Sequence, residues 1–147
     1  MIPAPTFILI GCGARKLPHP APARDLYTGS LFRAARSYAE ASGLPWMILS
    51  GLHGLVAPDQ VLEPYDHRLT GPWTSWPVLA TVEQQLRALG WSGSGVVEVH
   101  AGHDYGSLLS LAAWLADRPL DIISPVAGLP VGRRLAWYRA ERERRAA

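Results

Sequence analysis

The first loop of this sequence contains two side chains whose chemistry stands out, because Cys12 is the only cysteine and Lys16 the only lysine of the chain. A thiol becomes a nucleophile when its surroundings stabilise the thiolate. A single lysine among thirteen arginines indicates a position that needs a compact ammonium, or an amine able to lose its proton. The plainer interpretations are that Cys12 packs as a small apolar side chain and that Lys16 is an exposed loop residue.

Two carboxylates lie in a long loop between residues 51 and 73, which is rich in glycine, proline, aspartate and histidine. Loops of this length in a small domain are usually functional or partly structured. Glu63 and Asp66 are therefore candidates for a general acid or base. The alternative is that both carboxylates only fix the conformation of the loop.

Three of the five histidines, His53, His100 and His103, follow segments that are predicted as strands and have the side chains of metal ligands. No carboxylate or thiol stands beside them at the spacing of a metal site. We therefore predict that these histidines hydrogen-bond a ligand or a loop carbonyl, and that the protein binds neither a metal ion nor a cofactor.

The elements that must position these side chains alternate between short apolar runs and amphipathic stretches, which is typical of parallel strands joined by crossover helices. The predicted strands are Thr6–Ile10, Trp46–Ser50, Val96–His100 and Leu120–Ser124, with a short edge strand within Gln60–Tyr65. The first predicted helix runs from an N-cap at Ser30 to Gly43, and the second starts at Ser75 and Pro77 and ends at Gly90, before a turn at Gly93–Gly95. The third runs from an N-cap at Asp104 to Pro119, and the fourth begins near Arg133. The sequence thus predicts a three-layer α/β/α fold around a central, mainly parallel sheet of four or more strands.

The predicted strands all end in small or polar residues. Ligands of open parallel sheets bind at the carboxyl ends of the strands, so we expect one site at this edge. The predicted catalytic residues are Cys12, Lys16, Glu63 and Asp66. The predicted binding residues are Gly11, Arg24, Tyr27, Ser30, Ser50, His53, Tyr65, His100, His103, Tyr105, Ser124, Gly128 and Arg133.

Length and composition indicate a single α/β domain over residues 1–147, with a basic C-terminal helix over 133–147. No apolar run is long enough to span a membrane, and there is neither a signal peptide nor a cysteine pair, so we expect a cytoplasmic protein without membrane contact. The oligomeric state is left open. Glu141 and Glu143 interleave the C-terminal arginines, which predicts the ion pairs Arg139–Glu143 and Glu141–Arg145.

Several familiar motifs are incomplete in this sequence. The segment Gly11–Gly13 begins like a dinucleotide fingerprint, but the third glycine is missing and no acidic residue closes the second strand. It is not a phosphate-binding P-loop either. The segment Ser50–Gly54 lacks the glycine that a nucleophile elbow has two residues before its serine. We therefore do not expect a Rossmann dehydrogenase, a P-loop enzyme or a serine hydrolase.

Residues along nearly the whole chain resemble the DUF6884 family of small bacterial and phage domains, often described as YaaA-like peroxide-stress proteins. The matching residues are Cys12, Lys16, Ala21–Tyr27, Ser30–Phe32, Leu49–Ser50, His53–Leu55, Glu63–Tyr65, Pro125, Ala127–Leu129 and Gly132. Cys12 and Lys16, followed by Tyr27 and Ser30, are also similar to the Cys-x3-Lys-Pro-Tyr-x2-Ser-x2-His motif of archaeosine synthase. Here Tyr27 follows Lys16 by eleven positions, and Arg33 stands where that motif has His. The glycine-rich first loop, with Ser124–Pro125 and a basic helix, is similar to the layout of uracil-DNA-glycosylase-like folds.

These resemblances share nucleobases or nucleic acids, and they imply an enzyme that acts on the base of a nucleotide or nucleic acid. Such a pocket needs aromatic rings for stacking, polar groups for the base edge and cations for phosphate. We expect stacking by Tyr27, Tyr65 and Tyr105, edge contacts by Ser50, His53, His100 and Ser124, and phosphate contacts by Lys16, Arg24 and Arg133.

Two reaction types remain open at this point. N-glycosidic hydrolysis would use Glu63 or Asp66 to orient water or stabilise an oxocarbenium-like centre. A base-modifying transfer would use Cys12 as the nucleophile. The alternative to an enzyme is a YaaA-like DNA-binding protein of oxidative stress that uses the C-terminal arginines.

Overall fold

A computed structural model of the chain describes residues 5–67, 69, 72–89, 95–117 and 120–147, with the backbone alone for 72–75. The strands are β1 (Phe7–Gly11), β2 (Ala21–Pro22), β3 (Trp46–Ser50), β4 (Gly54–Val56), β5 (Val61–Leu62), β6 (Val96–His100) and β7 (Asp121–Ile123). The helices are α1 (Ala23–Leu26), α2 (Ser30–Ser42), α3 (Pro72–Leu89), α4 (His103–Leu115) and α5 (Val131–Ala146).

The central sheet has the strand order β4-β3-β1-β6-β7. Strand β1 pairs in parallel with β3 and β6, β6 pairs in parallel with β7, and only β4 runs antiparallel to its neighbour β3. The first strand is therefore interior, as predicted. All four predicted main strands are confirmed to within one residue at each end, and so is the mainly parallel α/β architecture.

Each face of the sheet is covered by helices because successive side chains of the strands point to opposite sides. Ile8 and Ile10 of β1 pack with Phe32, Ala35 and other buried residues of the layer that contains α2 and α5. Leu9 packs on the other side, in the layer formed by α3 and α4. Both layers are mainly apolar, so the parallel strands carry few polar side chains, among them Glu98 and His100 of β6.

The helix starts differ from the predicted ones. The N-cap of α2 is Gly29 rather than Ser30, and that of α4 is Gly102 rather than Asp104. Neither helix has a side-chain cap hydrogen bond, because in both the extended N-cap position is occupied by glycine. The predicted ends at Gly90 and Pro119 lie outside the described residues, as does most of the turn before Gly95.

Two further starts lie earlier than predicted. Helix α3 begins at Pro72, so that Pro77 lies inside it instead of near its first turn. Helix α5 begins at Val131, two residues before Arg133. No helix in the described part of the chain is long and apolar enough to cross a membrane.

The long loop after β3 contains more structure than predicted. Strand β4 folds back on β3, and the edge strand predicted within Gln60–Tyr65 is confirmed over Val61–Leu62, paired antiparallel with Ala21–Pro22. Gln85 of α3 holds β4 in place: Leu55 N donates to its Oε1 at 2.7 Å, and its Nε2 donates to the carbonyls of His53 and Leu55 at 3.2 and 3.0 Å.

Candidate functional site

A cavity of about 390 Å³ opens where the carboxyl ends of β1 and β6 meet the starts of α2 and α4. We call it the strand-end cavity. It is lined by Gly11, Cys12, Gly13, Ala14, Arg15, Gly29, Ser30, Leu31, Phe32, Ala35, His100, Ala101, Gly102, Tyr105, Arg134 and Tyr138. The cavity therefore lies at the edge of the sheet that the strand directions predicted.

The start of α2 presents free backbone N–H groups to this cavity. The first helical hydrogen bond runs from Arg33 N to Gly29 O at 3.0 Å, and no side chain caps the helix. Among the described residues, the N–H groups of Ser30, Leu31 and Phe32 have no protein acceptor. Uncapped N–H groups and the positive end of the helix dipole favour an anion at this position.

The start of α4 has the same character. Tyr105 N and Gly106 N both donate to Gly102 O at 3.1 Å, and no side-chain cap is present at Gly102. Because Gly102 and Tyr105 also line the strand-end cavity, two helix N-termini border the same space. Two dipoles directed at one cavity strengthen its preference for negative charge.

A guanidinium completes this electropositive wall. Arg134 donates from Nε to the carbonyl of Leu129 at 2.8 Å and from Nη1 to that of Ala101 at 3.3 Å. These bonds hold its charged group at the cavity while the remaining N–H donors stay available. Arg15 lines the opposite rim and is exposed.

Cys12 lies at the cavity floor, directly after β1. Its backbone N–H donates to Leu49 O at 3.1 Å, and its Sγ contacts the hydroxyl of Tyr105 at 3.5 Å. Burial, together with the nearby sulfur, raises the pKa of the Tyr105 hydroxyl well above its usual range. Tyr105 therefore stays protonated and is able to donate a hydrogen bond to the sulfur.

A chain of hydroxyls lies behind Cys12. Ser50 Oγ accepts hydrogen bonds from the N–H groups of Leu52 and His53, both at 3.1 Å, so its own proton is donated to the Tyr65 hydroxyl at 2.6 Å. The hydroxyl of Tyr27 lies 2.5 Å from the same Tyr65 oxygen. Burial first, and then the Cys12 sulfur, raise the pKa of Tyr65 to about 12.

Lys16 lies beside this hydroxyl chain. In the sequence Tyr27 follows Lys16 by eleven positions, and the fold brings the two residues together. An antiparallel bridge between Lys16 and Tyr27 closes the intervening loop, supported by Leu17 N donating to Leu26 O at 2.8 Å. The Lys16 ammonium lies 4.3 Å from the centroid of the Tyr65 ring and 5.7 Å from that of Tyr27. The fold thus brings Lys16 and Tyr27 together beside Tyr65, and neither of them lines the strand-end cavity.

His100 is buried in a network of its own. Its Nε2 lies 2.9 Å from Glu98 Oε1 and its Nδ1 lies 2.8 Å from the Tyr138 hydroxyl, while the Tyr38 hydroxyl donates to Glu98 at 2.5 Å. Burial alone would raise the pKa of Glu98, but the hydrogen bonds from His100 and Tyr38 outweigh it and lower this pKa. Both ring nitrogens of His100 are engaged, so His100 holds the cavity wall in place.

A second, more open cleft of about 910 Å³ adjoins the cavity and shares Arg134, Ala101 and Gly102 with it. His103, Ser124 and Gly128, all predicted binding residues, line this cleft. The cavity and the cleft together contain the ends of β1, β6 and β7.

Other predicted residues lie elsewhere. Glu63 and Asp66 are exposed and line neither space, and Arg24 lies beside Asp25, 3.9 Å from its carboxylate. Arg133 is exposed outside both linings.

Two aromatic side chains complete the placement of the predicted residues. Tyr27 is only 1% exposed, so its ring packs in the core against Phe32 and its hydroxyl alone remains for polar contacts. His53 packs edge-on against the Tyr65 ring, and burial lowers its pKa. Within the described ranges, no group of three or more histidine, cysteine or acidic side chains could hold a metal ion.

Several residues that line the cavity or support its wall were not predicted from the sequence. Glu98 carried a usable signal, because it is the one charged residue in the otherwise apolar run before His100 and faces the same side of β6 two positions away. Arg15, Arg134 and Tyr138 carried none, since their roles depend on how the loop and α5 pack.

The comparisons with known proteins identify a family without a known activity. The model of DUF6884, described as a family of unknown function, matches residues 7–140, which include every lining residue of the strand-end cavity. No curated protein and no solved structure matches the chain.

Proposed function

The chain belongs to the DUF6884 family, and we propose that it is an enzyme that modifies the base of a nucleotide or nucleic acid, with Cys12 as the nucleophile. The observation that carries this proposal is the position of Cys12 between two uncapped helix N-termini in a cavity at the strand ends. A phosphate of the substrate would accept hydrogen bonds from the N–H groups of α2 and from Arg134.

The size and lining of the site support a nucleotide rather than a simple anion. The strand-end cavity has room for a base or a sugar, and the adjoining cleft offers Ser124 and His103 as hydrogen-bond partners. Tyr105 is an aromatic residue of the cavity whose hydroxyl contacts the Cys12 sulfur at 3.5 Å. A base that enters the cavity would therefore lie beside the thiol.

The proposed step is an addition of the Cys12 S–H across a ring double bond of the base. The sulfur forms a bond to an electron-poor ring carbon, the thiol proton passes to the Tyr105 oxygen, and the Tyr105 proton passes to a ring heteroatom. No co-reactant is needed. Tyr105 suits this transfer because its raised pKa keeps it protonated at neutral pH.

N-glycosidic hydrolysis has less support from the geometry. It requires a carboxylate beside the sugar. The two carboxylates predicted for this role, Glu63 and Asp66, are exposed and do not line the strand-end cavity.

The experiment uses the fact that Cys12 is the only cysteine, so that alkylation by iodoacetamide reports on one site. We expect nucleoside monophosphates to slow this alkylation and to bind in calorimetric titrations. Arg134→Gln should weaken this binding about 10- to 100-fold, as expected for a hydrogen bond between charged groups. The matched control is Arg133→Gln, which removes the same charge one residue away, outside the cavity.

Intact-protein mass spectrometry after incubation with each nucleotide tests the chemical step. An adduct that forms on the unmodified protein and is absent from Cys12→Ala, with nucleotide binding retained, supports nucleophilic catalysis. Alkylation that proceeds at the same rate with and without every nucleotide would refute the proposal.

A further inference from the structure

A third concave surface lies between α2 and α5, next to the strand-end cavity. This groove has a volume of about 470 Å³. It is lined by Arg33, Ala34, Ser37, Tyr38, Ala41, Leu135, Tyr138, Arg139, Arg142 and Arg145. Its floor is apolar and aromatic, its rim carries four guanidinium groups, and it contains no carboxylate. We call it the arginine groove.

The rim arginines form no ion pair with a carboxylate in the described part of the chain. Arg139, Arg142 and Arg145 recur at intervals of three along α5, which places them on one side of the helix. The predicted pairs Arg139–Glu143 and Glu141–Arg145 are wrong, because Glu141 pairs with Arg144 on another side of the helix. Arg145 instead lies over the Tyr38 ring, 4.6 Å from its centroid, and donates to Tyr38 O at 3.1 Å.

Other arginines of the chain behave differently. Arg36, Arg87 and Arg144 each pair with a carboxylate three, four or eleven positions away. Arg33, Arg139 and Arg142 have no carboxylate partner in the described part of the chain. Unpaired like charges around one groove repel each other unless an anion lies between them, which favours a polyanionic ligand.

The groove adjoins the strand-end cavity. Tyr138 lines both spaces. Arg33 lines the groove one turn after Ser30, whose end of α2 borders the cavity. A chain of phosphates that runs along the groove would therefore lead to the cavity that contains Cys12.

The dimensions favour a single strand. Packed helices such as α2 and α5 have axes about 8–10 Å apart, which limits the width of the groove between them. A B-DNA duplex is wider than its own major groove, which measures about 12 Å, so a duplex does not fit between the two helices. Single strands bind to positively charged grooves that also offer aromatic and apolar surface for bases. The apolar floor with Tyr38 fits this requirement.

We propose that the arginine groove binds the phosphate backbone of single-stranded nucleic acid and that the substrate is a nucleotide within such a strand. This inference rests on the proposed function, since the target base would enter the strand-end cavity while the flanking phosphates contact Arg33, Arg139, Arg142 and Arg145.

The test measures fluorescence anisotropy of a labelled oligonucleotide of about twelve nucleotides, as DNA and as RNA, at several salt concentrations. Four phosphate contacts to a single strand predict a slope of about −2.8 for log affinity against log salt, or about a 50-fold loss between about 50 and about 200 mM. The variant Arg139→Gln/Arg142→Gln should lose only about 7-fold over the same range, because two contacts are removed. The control, Arg87→Gln/Arg144→Gln, removes the same charge outside the groove and should behave like the unmodified protein.

Three results would overturn the assignment of the groove: equal salt slopes for the groove variant and the control, a slope near zero for the unmodified protein, or duplex DNA that binds as tightly as the single strand. Thermal melting of both variants excludes unfolding as the cause, since all four substituted side chains are exposed. Titration with nucleoside monophosphates separates the two proposals. Absence of nucleotide binding would refute the strand-end site, while the salt slope would still decide whether the groove binds a strand.

Discussion

The hydroxyl chain behind Cys12 allows a stability prediction whose size follows from the direction of each hydrogen bond. Tyr65 accepts the proton of Ser50, which is 0% exposed, and lies 2.5 Å from the hydroxyl of Tyr27, which is 1% exposed. Tyr65→Phe removes the shared oxygen and leaves the protons of the buried Ser50 and Tyr27 hydroxyls without an acceptor. Each buried donor that loses its acceptor costs about 1–3 kcal/mol, so we expect a loss of about 2–6 kcal/mol in the free energy of unfolding.

Tyr27→Phe provides the comparison. It removes one hydroxyl from the end of the chain, and Tyr65 still accepts the proton of Ser50. Because no buried donor is left unpaired, the expected loss is about 1 kcal/mol. Equilibrium urea denaturation of both variants and of the unmodified protein measures the difference, provided that the slopes with denaturant agree.

Tyr105→Phe serves as a second comparison, because its hydroxyl lies outside the chain of hydroxyls and contacts the weakly hydrogen-bonding Cys12 sulfur at 3.5 Å and the backbone of Leu69. A loss of about 1 kcal/mol is expected for it, the contribution of a typical hydrogen bond. If Tyr27→Phe destabilised the protein as much as Tyr65→Phe, the direction assigned to the hydroxyl chain would be wrong.

Three further predictions concern Lys16, the five tyrosines and Glu98. Lys16→Met should cost at most about 1 kcal/mol of stability, the scale of an exposed cation–π contact. Because Lys16 lines neither the cavity nor the cleft, nucleoside monophosphate binding in calorimetry should stay nearly unchanged, and a loss of about tenfold would place Lys16 in the site. All five tyrosines have raised pKa values, so an alkaline absorbance titration should show no tyrosine ionising near pH 10 before the protein unfolds. The protonated tyrosines contribute their full stability below about pH 10, and this contribution should fall as the pH rises further. Glu98→Gln should destabilise the protein by about 1–3 kcal/mol near pH 7. Because the carboxylate contributes only while it is ionised, this difference should shrink as the pH falls through the lowered pKa of Glu98. A difference in urea denaturation that does not depend on pH would contradict this prediction.

Much of the central fold could be predicted because its signal is local. The strands Trp46–Ser50 and Val96–His100 are covered by helices on both faces, so their sequences are continuously apolar apart from Glu98 and the last residues. Strand β4 has only three residues, and its pairing with β3 depends on the turn at Gly54, where φ is +71°. Short segments of this kind have no periodicity, so the sequence alone did not predict β4.

The site was predictable in position and less so in detail. The strand directions predicted that Cys12, His100 and Tyr105 would meet, and all three line the strand-end cavity. The orientation of individual side chains depends on packing, which is why the buried ring of Tyr27 and the cavity position of Arg134 were not foreseen. The glycine N-caps of α2 and α4 were also not predicted from the sequence, although they leave the first N–H groups of both helices without a side-chain cap.

The contact between Gln85 and β4 has a consequence for solubility. Strand β4 is an outer strand of the sheet, and the free N–H and C=O groups of such a strand can pair with the outer strand of another molecule. The amide of Gln85 occupies the N–H and C=O of Leu55, so it takes the place that an intruding chain would need. A side chain at Gly54 would collide with this amide. The glycine and the glutamine together thus protect the protein from edge-to-edge aggregation.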